Sequence, residues 1–209
     1  MIADDFFRLA HDDTSGRPLL AEHTIALGLA AALLGELLVE QKIWVEGGQL
    51  TVTPKPSPPQ DATAHMVFQS IAREPDVHDL STWLAFVSVH AYDQVAQRLM
   101  QSGELKREAT RRFLRRDGIQ YVPTSSTRAA APWVMLSHYI RHGMPMDFNA
   151  LVLANLSDTT GLTGVVLRSA TRDELAYLRR QLPQLWQPMR AVVDQVRLSI
   201  GAAVLSYRV

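Results

Sequence analysis

No cysteine occurs anywhere in the 209-residue chain. That excludes disulfides, thiolate nucleophiles and cysteine metal sites, and it fits a reducing cytoplasm. Net charge is absent too: 21 basic and 21 acidic side chains cancel. The charge of the whole molecule therefore steers it toward neither nucleic acid nor membrane, and any charge argument must be local. The longest uninterrupted apolar run, Ile25 to Gly35, falls well short of the roughly 20 residues that a membrane-spanning helix needs. The first residues, Met1-Ile2-Ala3-Asp4-Asp5, carry acids where a secretory signal carries bases. The expectation is a cytoplasmic chain that meets a membrane, if at all, from its surface.

Recognisable catalytic motifs are also missing. The chain has no phosphate-cradling GxxxxGK[ST] and no dinucleotide-binding GxGxxG, HExxH or GxSxG. A non-enzymatic role without a cofactor is the expectation. His138 and His142 lie four apart on an expected helix, so both rings could face one metal, but no third ligand accompanies them. They read as surface or half-buried residues, and no metal site is assigned. His11-Asp12-Asp13 reads as capping and turn chemistry rather than an acid–base cluster. Trp44, Trp83, Trp133 and Trp186 each sit among apolar residues. Core or interface packing is their expected role, with an aromatic binding cage as the alternative.

What is present is mostly helical patterning. A short helix spans residues 2–11, with Ile2, Phe6, Leu9 and Ala10 on one side. A second runs from about Ala21 to Gln41, and its middle, Ile25 to Gly35, is apolar all round, so it must be buried all round. Gly28 and Gly35 each cost that helix about 1 kcal/mol against Ala. Close approach of neighbouring helices is the expected compensation. Residues 42–53 read as a β-hairpin turning at Gly47-Gly48, and four prolines between Pro54 and Pro59 stiffen the loop beyond it. Further helices are expected at 61–73, 79–88, 91–101, 124–141 (with Pro132 near its start), 147–156, 172–182 and 189–206. A second hairpin is expected at Phe113–Tyr121, turning at Asp117-Gly118. No shift in composition marks a boundary, so 1–209 reads as one domain.

The neutral total hides two poles. Residues 1–40 carry seven acids and two bases, whereas Arg98 to Arg128 carries eight bases and three acids. Lys106, Arg107, Arg111, Arg112, Arg115 and Arg116 form a dense basic segment. It is either a solvated face or a surface for anionic lipid headgroups or nucleic-acid phosphates. A helix at 91–101 followed by a hairpin is also the order of a winged helix. Its would-be recognition residues, Asp93, Gln94, Gln97, Arg98 and Gln101, are a poor set for phosphates, which argues against nucleic acid as a partner.

One series of segments points further. It runs Asp4-Asp5-Phe6-Phe7, Asp12-Asp13-Thr14-Ser15-Gly16-Arg17, the stretch Gly28 to Leu37, a hairpin, Pro58-Pro59-Gln60-Asp61, and then Val95 to Leu105. In order and spacing this resembles the Golgi phosphoprotein 3 family, and the composition resembles its bacterial members. The resemblance implies a mostly α, single globular domain: a central apolar helix bundle ringed by amphipathic helices, with one or two β-hairpins. Eukaryotic members bind phosphatidylinositol 4-phosphate and link client proteins to coats. By alignment, Phe113–Pro123 is the family's self-association hairpin, which implies a homo-oligomer. The family's headgroup tryptophan and three basic residues fall on Ala21, Ala30, Val89 and Tyr92. Arg17, His23, His90 and Arg98 are the nearby groups expected to substitute. The expected function is a peripheral, anionic-lipid-binding adaptor on the inner membrane face, its client unidentified. An interaction scaffold without lipid binding is the alternative, and a nucleic-acid module a second one.

Overall fold

The computed structural model describes residues 1–54, 57–76, 78–110, 118–167 and 169–206. Its architecture grows from one helix. Helix α2 (Glu22–Val39) is buried on every side from Leu27 to Leu38. By length and composition alone it could cross a membrane, yet 72% of it is buried inside the fold. It is the axis of a helical core. Against it pack α1 (Ile2–Leu9), α4 (Leu80–Gln101) and α9 (Gln187–Ser206), with α3 (Ala62–Arg73) and α6 (Phe148–Thr160) completing the surround. Helices α5 (Ser126–His142), α7 (Thr163–Val166) and α8 (Arg172–Gln181) form the outer tier. The class is mostly α with two small antiparallel sheets.

The two glycines of α2 explain how the neighbours come so close. A Cβ on Gly28 would stand 2.3 Å from the Phe6 ring of α1, and one on Gly35 would stand 3.0 Å from the Met189 sulfur of α9. Each glycine gives up helix propensity and lets one large side chain lie against the backbone.

The first hairpin forms as the sequence predicts. Strand β1 (Ile43–Glu46) pairs with β2 (Gln49–Val52), and Gly47 and Gly48 both take positive φ, as a two-residue primed turn requires. Ile43, Val45 and Leu50 face the core, while Trp44 faces outward.

Three expectations are corrected. Residues 80–101 form one continuous helix rather than two, because Trp83, Leu84, Val87, Ala91, Val95 and Leu99 carry a single buried stripe past the polar Ser88 and His90. Pro132 lies inside α5 rather than near its start, and the helix begins where the Ser125 side chain caps the Arg128 N–H. The second hairpin starts earlier than Phe113. Strand β3 (Leu105–Thr110) pairs with β4 (Gly118–Pro123), so Gly118 is a strand partner of Thr110 and not a turn residue. Residues 111–117, including Phe113, Arg111, Arg112, Arg115 and Arg116, lie outside the described residues. Of the four tryptophans only Trp83 is fully buried; Trp44, Trp133 and Trp186 are exposed.

Gly28→Ala tests the packing at the centre. It should lower stability by about 2 kcal/mol in urea denaturation, even though Ala is the better helix former, because the new methyl must displace Phe6.

Candidate functional site

The polar chemistry of the fold begins at α4. Arg98 reaches away from the apolar stripe into a ring of three carboxylates, each from a different element. Its Nε and Nη2 lie 2.8 Å from Asp4 Oδ1 of α1, and its Nη1 lies 3.1 Å from Glu36 Oε2 of α2. Nη1 also lies 2.9 Å from Asp61 Oδ1, the carboxylate that caps α3 by accepting the Ala64 N–H. Glu36 accepts a further hydrogen bond from the Ala3 N–H, at 2.9 Å. The side chains of Arg98 and Glu36 are only 10% and 6% exposed. Burial by itself would lower the Arg98 pKa; the carboxylates of Glu36, Asp4 and Asp61 outweigh it and hold the guanidinium above its ordinary value. Burial pushes Glu36 up, with Arg98 offsetting only part of the effect, since one cation serves three acids.

Arg98 therefore corrects an expectation. It is spent inside the molecule, where three carboxylates neutralise it, and is not placed to hold a lipid phosphate. Arg17, His23 and His90 are exposed, and none of them joins the Arg98 cluster. His90 lines a shallow cleft of about 280 Å³ between α3 and α4, beside Ser70, Arg73, Phe86 and Gln94. The positions aligned with the family's headgroup residues carry no compensating charge. Ala30 is fully buried, Val89 is an exposed aliphatic, and the Tyr92 hydroxyl bonds His11 Nε2 at 3.0 Å.

The stem of the second hairpin presents Lys106, Arg107 and Glu108 outward. Its base is held firmly. Leu105 is buried, Thr124 Oγ1 donates to the Gly103 carbonyl at 2.8 Å, and Gln120 donates to the Ser15 carbonyl at 2.5 Å. Gly16, at φ +69°, touches the strand so closely that a Cβ would stand 1.9 Å from the Tyr121 oxygen. The turn that supplies Gly16 is tied by Asp12, whose Oδ1 accepts the Ser15 N–H and hydroxyl, each at 2.7 Å. Arg8 joins α1 to this base, 2.6 Å from both Asp5 and Glu104.

Beyond Leu105 the strand leaves the body: Lys106, Arg107, Glu108 and Ala109 are all exposed, and so is Ile119 opposite Ala109. Lys106 pairs with Glu108 at 2.8 Å in open solvent, which is too exposed to neutralise it toward a partner. Lys106 and Arg107 are consecutive in β3 and therefore point to opposite faces of the stem. Of the other four basic residues expected at this surface, the sequence places all between the two strands.

His11 is buried, stacked on Phe7 at 4.1 Å, with Nδ1 donating to the Phe7 carbonyl at 2.7 Å. The rings of His138 and His142 lie 4.5 Å apart, and among the described residues no group of three His, Cys, Asp or Glu could hold a metal. The winged-helix reading meets α4, a 22-residue helix whose Ala91, Val95, Ala96 and Leu99 are sunk in the core. Sequence reasoning missed the Arg98 cluster; the only trace of it was an arginine set among apolar residues at helical spacing.

The family model of Golgi phosphoprotein 3 (GPP34) matches residues 2–200. A search of the curated proteins returns no match.

Two predictions follow from these geometries. Arg98→Met leaves three carboxylates without their cation and should cost about 3–5 kcal/mol at pH 7. Urea denaturation should show the deficit narrowing as acid protonates the orphaned Glu36, which burial already pushes up. Burial lowers His11 to about 4 from 6.5. Its contribution is whole above pH 6.5 and is lost as the pH falls toward 4, because only the unfolded chain takes up the proton. Acidification should remove about 3 kcal/mol through this group, and His11→Gln should flatten that limb of the stability profile.

Proposed function

The chain belongs to the Golgi phosphoprotein 3 family, and from that premise we propose that it is a non-enzymatic protein that docks reversibly on anionic phospholipid surfaces through its basic hairpin. The docking is peripheral, on the inner face of the cell membrane. The observation that carries this reading is the stem of β3–β4: anchored at Leu105, Gly16 and Gln120, it leaves Lys106 and Arg107 exposed at the foot of a segment carrying four more arginines.

The physics is that of a polybasic patch rather than a headgroup pocket. Each Lys or Arg near an anionic surface contributes about 1 kcal/mol. The segment Lys106–Arg116 carries six bases and one acid. Five net charges suffice for reversible attachment, and salt weakens it, since the Debye length is about 10 Å at 0.1 M. A pocket for one phosphoinositide would instead need fixed donors around the phosphate. The cation nearest to the aligned positions that is also buried, Arg98, is already surrounded by acids.

Self-association of the hairpin is a second reading, favoured by the exposed Ile119 and by a two-stranded sheet whose outer edges have no partner strand among the described residues. Deleting 112–122 should then lower the sedimentation coefficient; an unchanged monomer would sink this second reading.

The docking reading is tested by flotation with phosphatidylglycerol vesicles. Binding is expected at 50 mM salt and should fall sharply by 300 mM. Lys106→Glu with Arg107→Glu should weaken it by at least about twentyfold, from the charge increments above. Absence of binding at low salt, or binding indifferent to the double reversal, would overturn the proposal.

A further inference from the structure

A second surface, sharing no residue with the hairpin, gathers three exposed or half-buried aromatic rings. Trp44 projects from the solvent face of β1, Phe148 opens α6, and Trp186 precedes α9. Trp186 stands at the centre. Its ring centroid is 5.4 Å from that of Trp44, edge-on at 70°, and 6.3 Å from that of Phe148, at 63°. With Leu38, Val39, Gln41 and Asn149 they line an open cleft of about 640 Å³. Trp44 and Trp186 keep 43% and 37% of their surface exposed, an unusual placement for two of only four tryptophans.

The charge of this cleft is one-sided. Among the described residues, Asp147 is the one ionisable side chain in its lining, and no Lys, Arg or His contributes. The carboxylate is fixed in place from both sides: Oδ1 accepts the Ala150 N–H at 2.8 Å, and Oδ2 accepts the Tyr139 hydroxyl at 3.1 Å. Each oxygen keeps a lone pair for a ligand. Ring faces are electron-rich and attract cations that shed water easily, and tryptophan does so best. Angled rings beside one carboxylate, in a space with no competing base, are the chemistry that recognises a bulky organic cation. They suit neither an anion nor a strongly hydrated metal ion.

We infer that the Trp44–Phe148–Trp186 cleft binds a quaternary-ammonium cation of the choline type, with its methyl groups against the rings and Asp147 as counter-charge. The cleft is larger than a trimethylammonium group, so the rest of the ligand has room to extend outward. The same chemistry is offered by free choline and by a choline lipid headgroup. This inference stands apart from the docking proposal, because the hairpin takes the opposite charge.

The test uses the full chain and saturation-transfer NMR on the methyl protons of choline, at ionic strength held constant with sodium chloride. Saturable binding on the order of millimolar is expected, with much weaker binding of the uncharged isostere 3,3-dimethylbutan-1-ol. Trp44→Leu alters an exposed strand position, and Asp147→Asn keeps a good helix cap, so both should fold. Trp44→Leu and Trp186→Leu should each weaken binding at least tenfold, and Asp147→Asn about threefold. The double substitution Lys106→Glu with Arg107→Glu should leave it unchanged. Adding phosphatidylcholine vesicles separates the sources. Tryptophan-dependent vesicle binding would support the site as a headgroup site, and binding of free choline alone would support it as a soluble-ligand site. Non-saturable choline binding, equal affinity for the neutral isostere, or unchanged affinity in both tryptophan variants would overturn the inference.

Discussion

A single guanidinium holds four helices in register. Arg98 of α4 meets Asp4 of α1, Glu36 of α2 and the α3-capping Asp61. Apolar packing around α2 is non-directional, and many rotations of α1 and α3 would bury similar area. The hydrogen bonds of a planar guanidinium are directional: three carboxylates can meet its fixed N–H donors in very few arrangements. The Ala3 N–H on Glu36 fixes the start of α1, and the Asp61 cap fixes the start of α3. Once α1 is placed, Phe6 can lie on Gly28, and Arg8 can reach Glu104 at the foot of the second hairpin.

The same constraint sorts the charges of a neutral protein. Two of the N-terminal acids, Asp4 and Glu36, are drawn inward onto Arg98, while Lys106 and Arg107 are left outside on a stem that leaves the core after Leu105. Net charge says nothing about this separation, because it is set by which partners are buried. Ala30 sits where α2 is fully enclosed, so that position serves packing.

Much of the fold was legible because it depended on local chemistry. The apolar run of α2 demanded burial, and Gly28 and Gly35 announced close neighbours, though not that they would be Phe6 and Met189. Gly47-Gly48 specified the first turn. The second hairpin was misplaced for a physical reason. Lys106, Arg107, Glu108 and Ala109 are all exposed, so β3 lacks the alternation that marks a strand lying on a core, and the Asp-Gly pair drew the turn toward its far end. The split of α4 arose from Ser88 and His90, polar residues that ride the outer face of an unbroken helix.

By itself the sequence determined the helical class, the central helix, the first hairpin, the presence of a basic segment and the family. All of these reside in contiguous residues or in their order along the chain. Only the tertiary structure decided the fate of individual charges and rings. Arg98 reads as an available cation until Asp4, Glu36 and Asp61, distant in sequence, converge on it. Trp44 and Trp186 read as core or interface residues, with a binding cage as the alternative, until β1 and the approach to α9 meet at the surface. Whether a charge is neutralised or a ring is exposed depends on neighbours brought together across the fold, and that is information no local pattern holds.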